Sequence, residues 1–142
     1  MTAVDTGSML DARLGELADQ LVHWLETGKR PVGMFAPDVF LDLSLPHWRV
    51  QCQGTEAAFG VREDSHPFPG RVRVEALDST ARGFLIQFEE RWVDGGQRWY
   101  CREQIHAVVT DGRISELSVY CTGDWDEAVQ ASHAAQVRLL RS

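Results

Sequence analysis

Gln97-Arg98-Trp99-Tyr100-Cys101-Arg102-Glu103-Gln104-Ile105-His106-Ala107-Val108-Val109, then Thr110-Asp111-Gly112, then Arg113-Ile114-Ser115-Glu116-Leu117-Ser118-Val119-Tyr120-Cys121, alternates polar and apolar residues on both sides of the turn. Side chains of a strand point to opposite faces in turn, so Trp99, Cys101, Glu103, Ile105, Ala107 and Val109 share one face, and Arg98, Tyr100, Arg102, Gln104 and His106 share the other. Read as a three-residue turn with glycine in the left-handed position, Thr110-Asp111-Gly112 places Ser115, Leu117, Val119 and Cys121 on the apolar side. A two-residue turn would shift the last strand by one and put Gln104 and His106 with Leu117 and Val119. The three-residue reading sorts apolar from polar more cleanly. Glu103 is the exception in the stripe: a carboxylate among apolar neighbours costs several kcal/mol unless it is protonated, paired or hydrogen-bonded.

The preceding segment, Gly83–Val93, carries Phe84, Ile86, Phe88, Glu90 and Trp92 on one face, and Asp94-Gly95-Gly96 is a hairpin signal. A hairpin closing there sets Phe88 opposite Glu103 and Glu90 opposite Cys101. The two carboxylates then become diagonal neighbours with Cα atoms about 7 Å apart. Two acids in one apolar cavity do not both ionise cheaply, so one is expected to hold its proton near neutral pH. Such a pair suits a general base beside a proton donor, and so proton abstraction next to a carbonyl or cyclisation through an enol. The other face (Gln87, Glu89, Arg91, Arg102, Gln104 and His106) reads as solvated or interface surface, with Glu89 opposite Arg102.

Towards the N-terminus, Leu10, Leu14, Leu17, Leu21 and Trp24 recur at three- and four-residue steps, an amphipathic helix ending at Gly28, after a loose tail over residues 1–8. Val39–Leu45 alternates as a strand, closed by Pro46. His47-Trp48-Arg49 opens a connection or second strand through Cys52. Thr55 is a plausible cap for a helix over Glu56–Glu63 with Ala58, Phe59 and Val61 available to pack. Ser65–Gly70 is loop, Val72–Ala76 a strand broken at Asp78-Ser79-Thr80, and Gly123-Asp124 is read as the cap of a terminal amphipathic helix carrying Trp125, Ala128, Val129, Ala135 and Leu139. Helices first, antiparallel strands after and a closing helix indicate an α+β fold. Its long strands can curl into a cone whose inner face and covering helices enclose a pocket.

The 142 residues suit one domain, placed at 9–142. A formal net charge of -7 argues against nucleic acid or an anionic membrane as partner. No apolar run reaches the roughly 18 residues that span a bilayer, and Met1–Ser8 has neither a basic start nor an apolar core, so no secretory signal is expected. Cys52, Cys101 and Cys121 are odd in number and not at metal-like spacing, so no metal is expected, the thiols are read as reduced and the location as cytoplasmic. Cys101 and Cys121 could lie opposite each other on neighbouring strands, where a disulfide could form under oxidising conditions. Five tryptophans supply flat walls. Trp48 is the candidate mouth residue, while His47 and His66 read as exposed loop histidines.

Phe35-Ala36-Pro37-Asp38-Val39-Phe40, Gly54 before a short helix, and above all Asp111 through Tyr120 resemble the nuclear transport factor two-like superfamily, specifically its SnoaL-like polyketide cyclase branch. The element order matches over roughly residues 10–125. The resemblance implies a cone-shaped, curved antiparallel or mixed sheet, N-terminal helices enclosing an apolar pocket, a short C-terminal helix and a homodimer. It departs from the family at two places: the slots where relatives carry a catalytic aspartate are occupied by Leu43 on the first strand and Val119 on the last. Asp42 is one residue away and faces the other side.

The sequence thus points to a small enzyme of isomerase, cyclase or dehydratase type, using no metal or organic cofactor, acting on a hydrophobic cyclic or polyketide-like molecule. Glu103 would be acid or base and Glu90 its partner. Leu43, Trp48, Phe88, Trp92, Trp99, Cys101 and Val119 would be the ligand-binding residues. The alternative is a non-catalytic hydrophobic-ligand-binding or dimerisation module of the same fold, which the apolar residues at 43 and 119 favour.

Overall fold

The computed structural model describes the backbone of residues 3–142 and the side chains from Asp11 onward. Of the tail expected over residues 1–8, the backbone from Ala3 is part of a helix; the side chains there and that of Leu10 fall outside the described ones. The elements are α1 (Ala3–Thr27), β1 (Phe35–Leu45), β2 (Trp48–Gln53), α2 (Thr55–Glu63), β3 (Gly70–Ser79), β4 (Gly83–Asp94), β5 (Gln97–Thr110), β6 (Arg113–Cys121) and α3 (Glu127–Gln136). The architecture is α+β, and the six strands form one curved, unclosed sheet in the order β2-β1-β6-β5-β4-β3. The β1–β6 pair is parallel and every other named pair antiparallel.

The apolar stripe of α1 becomes core, with Leu17, Leu21, Trp24 and Leu25 buried. The helix stops where Gly28 takes φ 75° and gives its N–H to Trp24 O at 2.8 Å, the left-handed ending that glycine adopts without a Cβ penalty. Its polar face is more than solvated surface. Arg13 donates to Gly112 O at 2.7 Å and to Gly33 O at 3.2 Å, tying the helix to the β5–β6 turn. The α1 and α2 helices cover the same inner face, where Phe59 of α2 packs on Trp24 and Phe35 with ring centroids 5.1 and 4.8 Å away.

The β4–β5 register agrees with the sequence expectation: Phe88 opposes Glu103, Glu90 opposes Cys101 and Glu89 opposes Arg102. Its charges are partnered differently. Arg102 binds Glu75 through both nitrogens, at 2.7 and 2.6 Å, while Glu89 takes Arg73 at 2.7 Å and the Tyr100 hydroxyl at 2.6 Å. A bulge at Glu75 between Val74 and Ala76 brings that carboxylate within reach.

The β5–β6 connection corrects one expectation and keeps its consequence. Thr110 pairs with Arg113, so the turn has two residues, Asp111 and Gly112, both left-handed at φ 54° and 76°. That is the backbone of a type I′ hairpin. One extra residue then enters β6: Val109 faces Ile114 while Val108 faces Glu116. This bulge at Ser115 returns the slipped register, so Ile105 opposes Val119, Ala107 opposes Leu117, and Gln104 and His106 stay opposite Tyr120 and Ser118.

Other local expectations also change. Gly54 at φ 99°, rather than Thr55, holds the cap position of α2. Strand β3 runs through Ser79. Asp126, not Gly123-Asp124, caps α3, its side chain accepting from Val129 N at 2.9 Å. Every residue of α3 keeps part of its surface exposed. Asp126→Ala should therefore fray α3 by about 1 kcal/mol without touching the core, read as faster amide exchange over residues 127–130 at unchanged global stability. Gly83 is the opposite case: a Cβ there would collide with the Ala107 carbonyl oxygen. Gly83→Ala should cost about 2 kcal/mol or more in denaturant unfolding by forcing β4 off β5.

Candidate active site

Between the two helices and the inner face of the sheet lies a cavity of about 190 Å³. Leu21 and Trp24 of α1, Leu41 and Leu43 of β1, Ile105 of β5 and Leu117 and Val119 of β6 form its apolar wall. One end is polar, with Arg62, His66, Glu103, Cys121 and Asp124 lining it. Apolar lining with a few convergent polar groups is the usual make-up of a small-molecule site.

The polar end begins with an ion pair. Glu90 is 2% exposed and takes both terminal nitrogens of Arg62, at 2.8 and 2.5 Å. Arg62 comes from α2 and also donates to Leu25 O at 2.7 Å. A bidentate guanidinium–carboxylate contact is the arrangement that lets a charged pair persist out of water. The Cys101 thiol lies between the acids, 3.9 Å from Glu90 Oε2 and 3.6 Å from Glu103 Oε1.

Glu103 has no such cation. Burial pushes its carboxyl well above the ordinary 4.5, the Glu90 and Cys121 charges push it further, and Arg62 pulls back less strongly. The raised carboxyl of Glu103 lines the cavity, and Glu90 does not. Asp124, in the segment after β6, is exposed at the cavity's polar end; partial desolvation and Glu90 raise its carboxyl, and Arg62 pulls it back. His66 is shifted down by burial and by Arg62. Its Nδ1 lies 2.7 Å from Pro67 O, a contact that holds the proton on Nδ1 and leaves the lone pair on Nε2.

Of the residues expected to bind ligand, Leu43 and Val119 line this cavity. Phe88 is fully buried core and Cys101 is 1% exposed beneath the acids. Trp92 and Trp99 stack on each other with centroids 6.5 Å apart, and line an outer groove of about 870 Å³ that does not reach Glu103. Trp48, placed by its sequence context at a pocket mouth, is 70% exposed on edge strand β2, opposite the cavity-lining Leu45 and not itself part of the lining. Glu90 is the ion-pair partner of Arg62 and sits beside Glu103 as the sequence places it. His66, expected exposed, is part-buried with its ring 4.5 Å from Trp92.

Sequence reasoning missed Arg62 and Asp124. The helical period of α2 puts Arg62 three and four residues from Phe59 and Ala58, on the buried side, which is the signal that could have found it. Asp124 carries no comparable signal. Cys101 and Cys121 are free thiols and not direct partners: Cys121 opposes Glu103, and the two sulfurs are diagonal within 4.8 Å.

The element order and the curved mixed sheet are those of the nuclear transport factor two-like fold. No protein-family model matches the chain, and no curated protein matches it. Solved structures do. A nuclear transport factor two-like protein from Anabaena variabilis superposes with a TM-score of 0.68 at 15% identity, over 81% of this chain and 90% of that one. An LEH-like epoxide hydrolase from M. tuberculosis matches at 0.59 and 12% identity, over 78% and 83%. A candidate ketosteroid isomerase from Kribbella flavida matches at 0.57 and 17% identity, over 94% and 95%. No helix among the described residues is long and apolar enough to cross a membrane.

Proposed function

We propose that the chain is a general acid–base enzyme for a small hydrophobic cyclic ketone, with Glu103 as proton donor. The observation that carries this reading is the Glu103 carboxyl, raised by burial, at the polar end of a largely apolar cavity. A ketone seated there would accept the Glu103 proton at its carbonyl oxygen. Asp124, the raised carboxylate lining the same end, would take a proton from the neighbouring carbon. Returned further along the chain of carbons, with the enol proton going back to Glu103, that proton completes an isomerisation; departure of a β-hydroxyl as water, protonated by the same acid, instead gives a dehydration. The SnoaL-like assignment, a homodimer and a cytoplasmic location belong to the same proposal, and the exposed Tyr120 on the outer sheet face supports a protein contact there.

The test is conversion of a β,γ-unsaturated cyclic ketone to its conjugated isomer, followed by ultraviolet absorbance. Turnover by the wild type and its loss in Asp124→Asn and Glu103→Gln is the expected result. The binding-module reading is favoured by the apolar Leu43 and Val119 on the cavity wall. It predicts thermal stabilisation by the ketone with no conversion, an outcome that would sink the enzyme reading.

A further inference from the structure

We infer that Cys121 is a nucleophile that captures small conjugated enones in the cavity, with Glu103 delivering the proton that completes the addition. The inference rests on the cavity reading above and adds a covalent step to it. Glu103 and Cys121 are direct cross-strand partners on β5 and β6, so their Cβ atoms are about 5 Å apart, and both line the cavity.

The sulfur is set up as an acceptor. Gly123 N donates to Cys121 Sγ at 3.4 Å. The Cys101 sulfur, the Cys121 sulfur and a Glu103 oxygen all lie within 4.8 Å of one another. The Cys101 thiol, with help from the Gly123 amide and Glu103, lowers the Cys121 thiol below its ordinary value, against burial and the Asp124 charge. The thiolate is the reactive form. Cys52, by contrast, is raised by burial alone.

The step balances without an oxidant or a cofactor. Cys121 Sγ bonds to the β carbon of the enone, and the carbon–carbon π pair moves through the α carbon to the carbonyl oxygen. Glu103 protonates the resulting enolate, and the proton released by the thiol returns to Glu103. The product is a thioether on a saturated ketone.

The test uses cyclohexenone on the whole protein, with intact mass and peptide mapping. One equivalent should add at Cys121, about tenfold or more faster than at Cys52. Cys121→Ser should remove that adduct. Glu103→Gln should slow the enone adduct about tenfold more than it slows alkylation of Cys121 by iodoacetamide, which shares the thiolate and needs no proton donor for its product; equal slowing of both reactions removes Glu103 from the addition. Equal labelling of Cys52 and Cys121 in the wild type overturns the inference whether or not a variant folds. If cyclohexanone stabilises the protein while cyclohexenone leaves Cys121 unmodified, the thiol inference fails and the cavity reading stands. If Cys121 is modified while cyclohexanone never binds and no ketone is isomerised, the acid–base reading fails and the nucleophile stands.

Discussion

Replacing Arg62 by Met should lower the free energy of unfolding by about 3–5 kcal/mol, the usual penalty for leaving one member of a buried ion pair alone. For a chain of this size that is a fall in melting temperature of about 10 °C. The reason is local. Glu90 is 2% exposed, both its oxygens are taken by Arg62, and the Cys101 thiol approaching at 3.9 Å is too weak a donor to replace them. The double variant Arg62→Met, Glu90→Leu should regain most of the loss, because it removes both charges together and leaves apolar volume against apolar volume. Chemical denaturation of the four proteins in the cycle measures this. A loss under about 1 kcal/mol for Arg62→Met, or no recovery in the double variant, would show that the pair does not carry the local structure.

Replacing Glu103 by Gln should have two effects of opposite sign. Catalysis, read in the ketone isomerisation, should fall by about 100-fold or more, because Gln has the shape of the protonated acid and no proton to give up. Stability should rise. The folded state raises Glu103 above its ordinary 4.5, so between that value and the folded value the native protein binds a proton that the unfolded chain does not. Stability from this group is therefore fully present below about pH 4 and lost as pH rises through the folded value. Gln does not titrate. The variant should match the wild type near pH 4 and exceed it at pH 7 by about 1 kcal/mol or more. A difference that stays constant across this range would mean that Glu103 is an ordinary ionised carboxylate. This would remove the proton donor from the proposed mechanism.

The periodicity of residues 83–121 carried most of the fold and the position of Glu103, because strand alternation is a local property that side-chain polarity reports directly. The β5–β6 connection shows where that stops. Period-two reasoning correctly found which residues share a face, yet it assigned the extra residue to the turn, whereas the chain spends it at Ser115. The two solutions give the same sorting, so polarity alone does not separate them. Arg62 shows a different limit: the charge partner of Glu90 lies on α2, and the docking of a helix on a sheet depends on packing along its whole length. Trp48 shows a related limit. Its register partner Leu45 lines the cavity, but the edge strand that carries Trp48 leaves the ring uncovered. Asp124 reached the site through the course of the segment after β6, which no pattern in the chain announces.

The parallel pairing of β1 with β6 has a consequence for the order in which the molecule is made. Phe40 meets Glu116 and Ser44 meets Tyr120, so the middle of the sheet joins segments separated by most of the chain. During synthesis β1, β2 and α2 emerge early, with Val39 and Leu41 lacking the neighbours that later bury them. The hairpins β3–β4 and β4–β5 can close as they appear, since their contacts are local. The central seam waits for the last strand. Loop closure over that span makes it the slow step, and until β6 leaves the ribosome one long side of β1 is an unpaired edge open to another chain.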